Sequence, residues 1–316
     1  MIVKPENMSF SDKTFTMIIY GAPGTGKTTL ALSAPKPILI DFDKGVARVK
    51  AYHRKTTICC SDYFEVLNDI ESLEVRDCET VIIDTGGSFV TYLQAWAIKE
   101  NPRVNRQANG ALSLKGYGAV KAEFIRFSNY VRDVLHKNLI YVFHSQESAD
   151  KDGNTVQRLL CEGATRNIVW QPCDLGGFMQ IIGDRRVIGF SPTQEYFAKG
   201  CFGVEGLRDV PTLNSAADEN TFLTDLFNEA RATIAAENEF YAPQRDQYAK
   251  TMAEAKELID TIDSPAKATE AGNAIKLMNH ALTSLAEIRA MFKQKIAELG
   301  YVWDKEASEY RQKPEA

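Results

Sequence analysis

The segment Gly21-Ala22-Pro23-Gly24-Thr25-Gly26-Lys27-Thr28 constrains this chain more than any other. It fits G-x-x-x-x-G-K-[ST] at every specified position. An apolar run, residues 15–20, precedes it and reads as a buried strand. A helix is expected from about Lys27 to Ser33, where Pro35 and Pro37 stop it. Strand, glycine-rich turn and helix form the context the pattern requires. The glycines let the backbone curl so that successive N–H groups point at phosphate oxygens. The helix start adds its positive end. Lys27 is placed to reach β- and γ-phosphates, and Thr28 to put its hydroxyl on Mg²⁺. With Thr29, residues 21–29 form the expected binding set for ATP and Mg²⁺. The motif alone does not separate adenine from guanine.

Further apolar strands are expected at Pro37–Asp41, Thr80–Asp84 and Leu139–Phe143, with helices at Asp62–Leu73, Phe89–Lys99 and Val120–His136. Short continuous apolar strands alternating with helices indicate an α/β fold with a mostly parallel sheet between helices. After residue 175 the pattern changes. Phe178–Ile182 and Arg186–Phe190 flank Gly183-Asp184 as a hairpin, an antiparallel extension at the sheet edge. Glu195–Ala198 is a candidate further strand, and Gly200–Ala217 reads as a loop. Beyond it the chain reads as helical. Tyr241, Tyr248, Met252, Ala255, Ile259 and Ile262 form a heptad-like seam that Ser264-Pro265 breaks. Ile275, Met278, Leu282, Leu285, Phe292 and Ile296 make a further stripe, and Tyr301–Tyr310 a small terminal hairpin. The expected division is 1–215 for the phosphate-binding domain and 216–316 for a helical C-terminal region. The seam serves either its own helical hairpin or a protein partner.

The chain has 316 residues, 44% of them hydrophobic, enough for one substantial core and a smaller second unit. No stretch approaches the roughly 20 apolar residues that span a bilayer. Met1–Phe10 lacks the pattern of a signal peptide, so a cytoplasmic location is expected. The six cysteines include no C-x-x-C pair and the four histidines are scattered, which argues against a zinc site. Net charge is −5, against nucleic-acid coating by bulk charge. The charge is uneven. Residues 211–316 carry 12 Lys/Arg against 18 Asp/Glu, leaving the first 210 near +1, and Lys99–Lys137 holds eight basic residues against three acidic.

Val81-Ile-Ile-Asp84 is a strand ending in a carboxylate, the expected Walker B partner that turns Asp84 towards the magnesium shell. The succession of phosphate loop, Ile-Leu-Ile-Asp41-Phe-Asp43, Val-Ile-Ile-Asp84 and Leu-Ile-Tyr-Val-Phe-His144 resembles the RecA-like P-loop ATPases. It is most similar to phage ATP-binding proteins of the Sak-four single-strand annealing type, over roughly residues 13–212. The resemblance implies an ATPase acting in recombination or annealing of single-stranded DNA in a phage-infected bacterial cytoplasm, assembled as a ring or filament. It assigns Asp43 to the water-polarising position, with Asp41 as its neighbour, and His144, with Gln146 close by, to sensing the γ-phosphate. In K-x-R-x-G, which such proteins use across subunit contacts, Lys199 and Gly203 match, but Cys201 stands in place of Arg. That departure bears on both rate and assembly.

The segments matching the family's DNA-binding loops are Lys99–Gly118, with Arg103, Arg106, Lys115 and Tyr117, and Ser145–Arg166, with Lys151, Arg158 and Arg166. Cations on flexible loops with an aromatic for stacking suit single strands, although such clusters are also ordinary solvated surface. Two other functions fit the same loop. One is a P-loop kinase of a nucleoside or small metabolite, which needs a lid with several arginines, whereas Arg185-Arg186 is the only Arg pair. The other is an ATP-switched, non-catalytic loader working through the acidic C-terminal helices.

Overall fold

The computed structural model of the chain describes residues 10, 12–163 and 165–313. Two compact units follow from it, and the division falls between Thr233 and Ile234. In chain order the first unit contains β1 (Thr16–Gly21), α1 (Lys27–Ala31), β2 (Pro37–Asp41), β3 (Thr57–Ile58), α2 (Tyr63–Asp69), α3 (Leu73–Asp77), β4 (Thr80–Asp84) and α4 (Gly86–Glu100). There follow α5 (Pro102–Asn105), α6 (Leu114–Asn129), β5 (Asn138–Ala149), β6 (Thr155–Leu159), α7 (Thr165–Ile168), β7 (Leu175–Ile182), β8 (Arg185–Gly189) and β9 (Leu207–Val210). The division lies inside α8 (Phe222–Phe240).

The sheet has nine strands in the order β3-β2-β4-β5-β1-β7-β8-β9, with β6 paired to β5 outside that path. The strands from β3 to β7 are parallel, and β8 and β9 extend them antiparallel. The expected mostly parallel α/β core, a P-loop NTPase core, is therefore present. Its strands are apolar because both faces are covered. Ile18 and Tyr20 of β1 join Ile38 and Ile40 of β2 in a core shared with Phe89 of α4 and Phe124 and Phe127 of α6. The Phe89 ring packs 4.9 Å from Phe42 and 5.3 Å from Phe127. Truncating a ring buried this fully typically costs about 3–5 kcal/mol. At the other end of the unit, α8 is tied to the segment after α1: Leu223 N–H donates to Ser33 Oγ at 2.9 Å and Thr224 N–H to Ser33 O at 3.1 Å.

Several elements differ from the sequence expectation. Helix α1 ends at Ala31, two residues early. Strand β5 does not stop at Phe143; it runs past the sheet to Ala149 and forms an antiparallel ribbon with β6. The segment expected as a flexible loop at Ser145–Arg166 is thus largely a hairpin. Residues 195–198 form no strand and contribute only a bridge at Tyr196, while β9 lies inside the expected loop Gly200–Ala217. Its burial alternates exposed and half-buried, a pattern with little apolar signal.

The second unit contains the rest of α8, α9 (Ala242–Asp260), α10 (Pro265–Leu277), α11 (Ser284–Glu298), β10 (Tyr301–Asp304) and β11 (Glu309–Gln312). Ala255, Ile259 and Ile262 of the predicted seam are buried with Ile275, Ile288 and Ile296. Ser264 caps α10 by accepting from Lys267 N–H, and Pro265 occupies its first turn, as the break predicted. The stripe from Ile275 to Ile296 is divided between two helices rather than carried on one. The terminal hairpin is present, with Trp303 and Tyr310 rings 5.0 Å apart. The residues used to argue against a signal peptide, apart from Phe10, lie outside the described ones.

Candidate nucleotide site

The phosphate loop leaves β1 at Gly21, which pairs with His144 of β5 on one side and Met179 of β7 on the other. A Cβ on Gly21 would lie 2.1 Å from the Met179 carbonyl oxygen, so only glycine fits. Gly24 and Gly26 have φ of 79° and 95°, the left-handed region that turns the loop over itself. Thr25 Oγ1 donates to Ala22 O at 3.0 Å, and Lys27 Nζ to the same oxygen at 2.8 Å. The lysine therefore lies across the concave side of the loop. It is 5% exposed, and burial pulls its ammonium down to about 8, with Asp84 and Asp43 opposing the shift.

Asp84 ends β4 in register with Asp41 of β2 and Val142 of β5. Thr28 Oγ1 donates to Asp84 Oδ2 at 2.7 Å. The carboxyl is 2% exposed, and burial pushes it up to about 6 against the pull of the Thr28 hydrogen bond and of Lys27. A carboxylate and a hydroxyl side by side are hard oxygen donors, the set Mg²⁺ takes with waters and phosphate oxygens, so Thr28 and Asp84 fit this ion.

The two aspartates after β2 are sharply distinguished. Asp41 is consumed by its own turn: its oxygens accept from Gly45 N–H at 2.8 Å and Val46 N–H at 2.9 Å. Asp43 faces the site. Its N–H donates to Asp84 O at 3.0 Å, its Oδ1 accepts from Ser88 Oγ at 3.3 Å, and its Oδ2 pairs with Arg48 Nη2 at 2.5 Å. His144 is half-buried and its Nδ1 has no hydrogen-bond partner. Burial lowers its basicity, Lys27 and Arg48 push the same way, and Asp43 opposes them. Gln146 lies two residues on, on the same face of β5.

Sequence reasoning brings Lys27, Thr28, Asp43, Asp84 and His144 to one end of the sheet, and the structure holds them there. It missed Ser88 and Arg48. Ser88 carried a readable signal, since Thr85 caps α4 and a polar residue in that first turn faces the strand ends. Arg48 carried none. Lys199 lies elsewhere: its residue bridges Gly176 at the start of β7, and its ammonium donates to Cys173 O within the same chain.

Arg103, Arg106, Lys115 and Tyr117 are all exposed, Tyr117 by 46%. They do not stand on a flexible loop. Asn105 is buried and donates to Ala97 O at 2.8 Å, and Ser113 caps α6 while donating to Val104 O at 2.7 Å. The four project from a tied α5–α6 corner. Beneath the β5–β6 ribbon lies a second concave region of about 400 Å³, lined by Arg158, Arg166, Asn167, Trp170 and Phe197 among others.

A family model described as an AAA domain matches residues 13–202. The chain belongs to this AAA-domain family. The match spans the phosphate loop, Asp43, Asp84, His144 and the whole parallel sheet, so this AAA domain is an ATPase-type P-loop domain. No curated protein matches the chain. No helix among the described residues is long and apolar enough to cross a membrane.

Proposed function

We propose that this AAA domain binds ATP with Mg²⁺ and hydrolyses it to ADP and phosphate. The observation that carries this reading is the joining of Thr28 to Asp84 at 2.7 Å with Asp43 bonded through its backbone to Asp84. Metal donors, phosphate lysine and the Asp43 carboxylate, held by Ser88 and Arg48, then meet at one place. Bound Mg²⁺ would neutralise phosphate charge at the Thr28–Asp84 pair. Lys27 leaves Ala22 O and reaches the β- and γ-phosphates. Asp43 orients a water and accepts its proton as the water oxygen bonds to the γ-phosphorus and the bridging oxygen leaves with ADP. Arg48 and Ser88 hold the Asp43 carboxylate in position. His144, which pairs with Gly21 at the start of the phosphate loop, registers the γ-phosphate.

The finer reading is action on single-stranded DNA in phage-type recombination or annealing, as a cytoplasmic ring or filament. Its support is the concave region under the β5–β6 ribbon. There Arg158 supplies charge, while Trp170 and Phe197, with centroids 4.7 Å apart, supply faces on which bases stack. Arg103, Arg106, Lys115 and Tyr117 form a second, exposed candidate contact. Partner binding through the C-terminal helices belongs to the same proposal.

The test is phosphate release with and without a single-stranded oligonucleotide, for the native chain and Lys27→Ala. Turnover raised by the oligonucleotide and lost in the variant is expected. Equal rates in both proteins would overturn hydrolysis. No oligonucleotide affinity at low salt, with or without an ATP analogue, would remove the DNA reading alone.

A further inference from the structure

Three arginines stand on the antiparallel pair β8 and β9, and two of them are neutralised. Arg185 Nη1 pairs with both Asp209 oxygens at 3.2 Å, and Arg208 Nη2 with Glu229 at 2.7 Å. The Arg186 side chain has no hydrogen bond or ion pair with any described residue, yet the residue is half-buried. It lies against the phosphate loop. Its Nε is 3.6 Å, and its Cδ 3.7 Å, from the point a Cβ on Gly26 would occupy. In the ladder Arg186 pairs with Ile181 and with Val210, which sets its position beside the loop.

Arg186 also walls a cavity of about 510 Å³ that opens from Gly26. The remaining walls include Thr29 and Leu30 of α1, Met179, Pro211 and Phe222. The volume is in the range of small-molecule sites, and the lining mixes these apolar walls with charged side chains of both signs, Arg48, Lys50 and Arg208 beside Glu219, Asp225 and Glu229. The wall is fixed rather than loose: Lys50 Nζ donates to Leu213 O at 3.0 Å, and Asn220 Nδ2 to Thr29 O at 2.9 Å. A guanidinium held partly out of water without a counter-charge is unfavourable unless an anion meets it, and its planar fork suits phosphate oxygens.

We propose that Arg186 is a nucleotide-binding residue acting within its own chain, and that the cavity behind it takes the nucleoside while the loop takes the phosphates. The proposal rests on the ATP reading above and extends it to a residue outside the motif. Neither Lys199 nor Cys201 is needed for this cation.

The experiment is calorimetric titration of ATP, ADP and inorganic tripolyphosphate into the native chain, Arg186→Ala, Arg186→Lys, Arg185→Ala and Lys27→Ala. Thermal melting without ligand confirms that each variant is folded. Arg186→Ala is expected to raise the Kd for all three ligands about 10-fold, the loss of one charge-assisted hydrogen bond. Arg186→Lys should recover part of the affinity and Arg185→Ala should match the native chain. Unchanged affinity in Arg186→Ala, with binding lost in Lys27→Ala, overturns the role of Arg186 and leaves the ATP reading standing. Native protein that binds no ATP overturns both. Photolabelling with 8-azido-ATP adds a readout of the cavity. Label within residues 210–226 is expected, and label confined to the Trp170–Phe197 region overturns the cavity's occupant.

Discussion

Thr28 Oγ1 donates to Asp84 Oδ2 across 2.7 Å, joining two residues 56 positions apart in the chain. The bond links the end of the phosphate loop to the end of β4. Burial of Asp84 disfavours its charge against the pull of this bond, and the balance has a measurable sign.

Burial raises Asp84 to about 6. The folded protein therefore holds this proton at pH values where an unfolded aspartate, near 3.9, has lost it. The native state is relieved below the unfolded value and loses that stability as pH rises through about 6. Asp84→Asn should stabilise the metal-free fold at pH 7.5 by about 1–3 kcal/mol, read as a raised melting temperature. The same variant should lose the extra stabilisation that Mg²⁺ with ATP gives the native chain. Differential scanning calorimetry decides both; a lower metal-free melting point in the variant would contradict the burial cost.

Lys27 is the converse case. Burial lowers it to about 8, so its charge costs native stability below that pH, and the cost fades as pH rises towards the unfolded value near 10.4. Lys27→Met should melt no lower than the native chain at pH 7, yet show no shift on adding ATP. A destabilised, nucleotide-responsive variant would be the opposite result.

Asp43 and Arg48 are paired at 2.5 Å. Asp43→Asn should lower kcat by about 10²–10⁴ while leaving the Kd for ATP within a factor of about three. Arg48→Ala should lower kcat more than it changes affinity, because it releases the Asp43 carboxylate from its fixed position. Phosphate-release kinetics with parallel binding isotherms separate the two effects, and a pure affinity loss in Asp43→Asn would remove it from the water-orienting position.

Glycines 21 and 24 are required for different reasons. A Cβ at Gly21 meets the Met179 carbonyl at 2.1 Å, so Gly21→Ala must push β1 from β7, at a cost of at least about 1–3 kcal/mol. Gly24 has open space but φ of 79°, so alanine there costs about 1–2 kcal/mol of backbone strain. Urea denaturation should rank Gly21→Ala as the less stable of the two.

The parallel sheet was legible because buried strands announce themselves. The runs at residues 15–20, 37–41, 80–84 and 139–143 are dominated by Ile, Leu, Val and aromatic residues. Strands β6 and β9 were not legible, since they lie at the periphery, mix charge with apolar residues and exist only through their partners. The Asp41/Asp43 choice shows the same limit at the site. Both lie at the same strand end, and only the turn to Gly45 and Val46 reveals that Asp41 is already used. The place of Arg186 beside the phosphate loop was not legible either, because nothing local ties residue 186 to residue 26.

Strand β5 carries His144 at the phosphate end of the sheet and Ser148 at the concave region under the ribbon. The two are four residues apart on one strand, about 13 Å at the usual rise. Backbone this extended and paired transmits displacement along its length. Amide exchange at the β5–β6 ladder should therefore report whether the nucleotide site is filled. Strand β5 is a single hydrogen-bonded length of backbone shared by the phosphate end of the sheet and the concave region under the ribbon, as one beam is shared by two rooms.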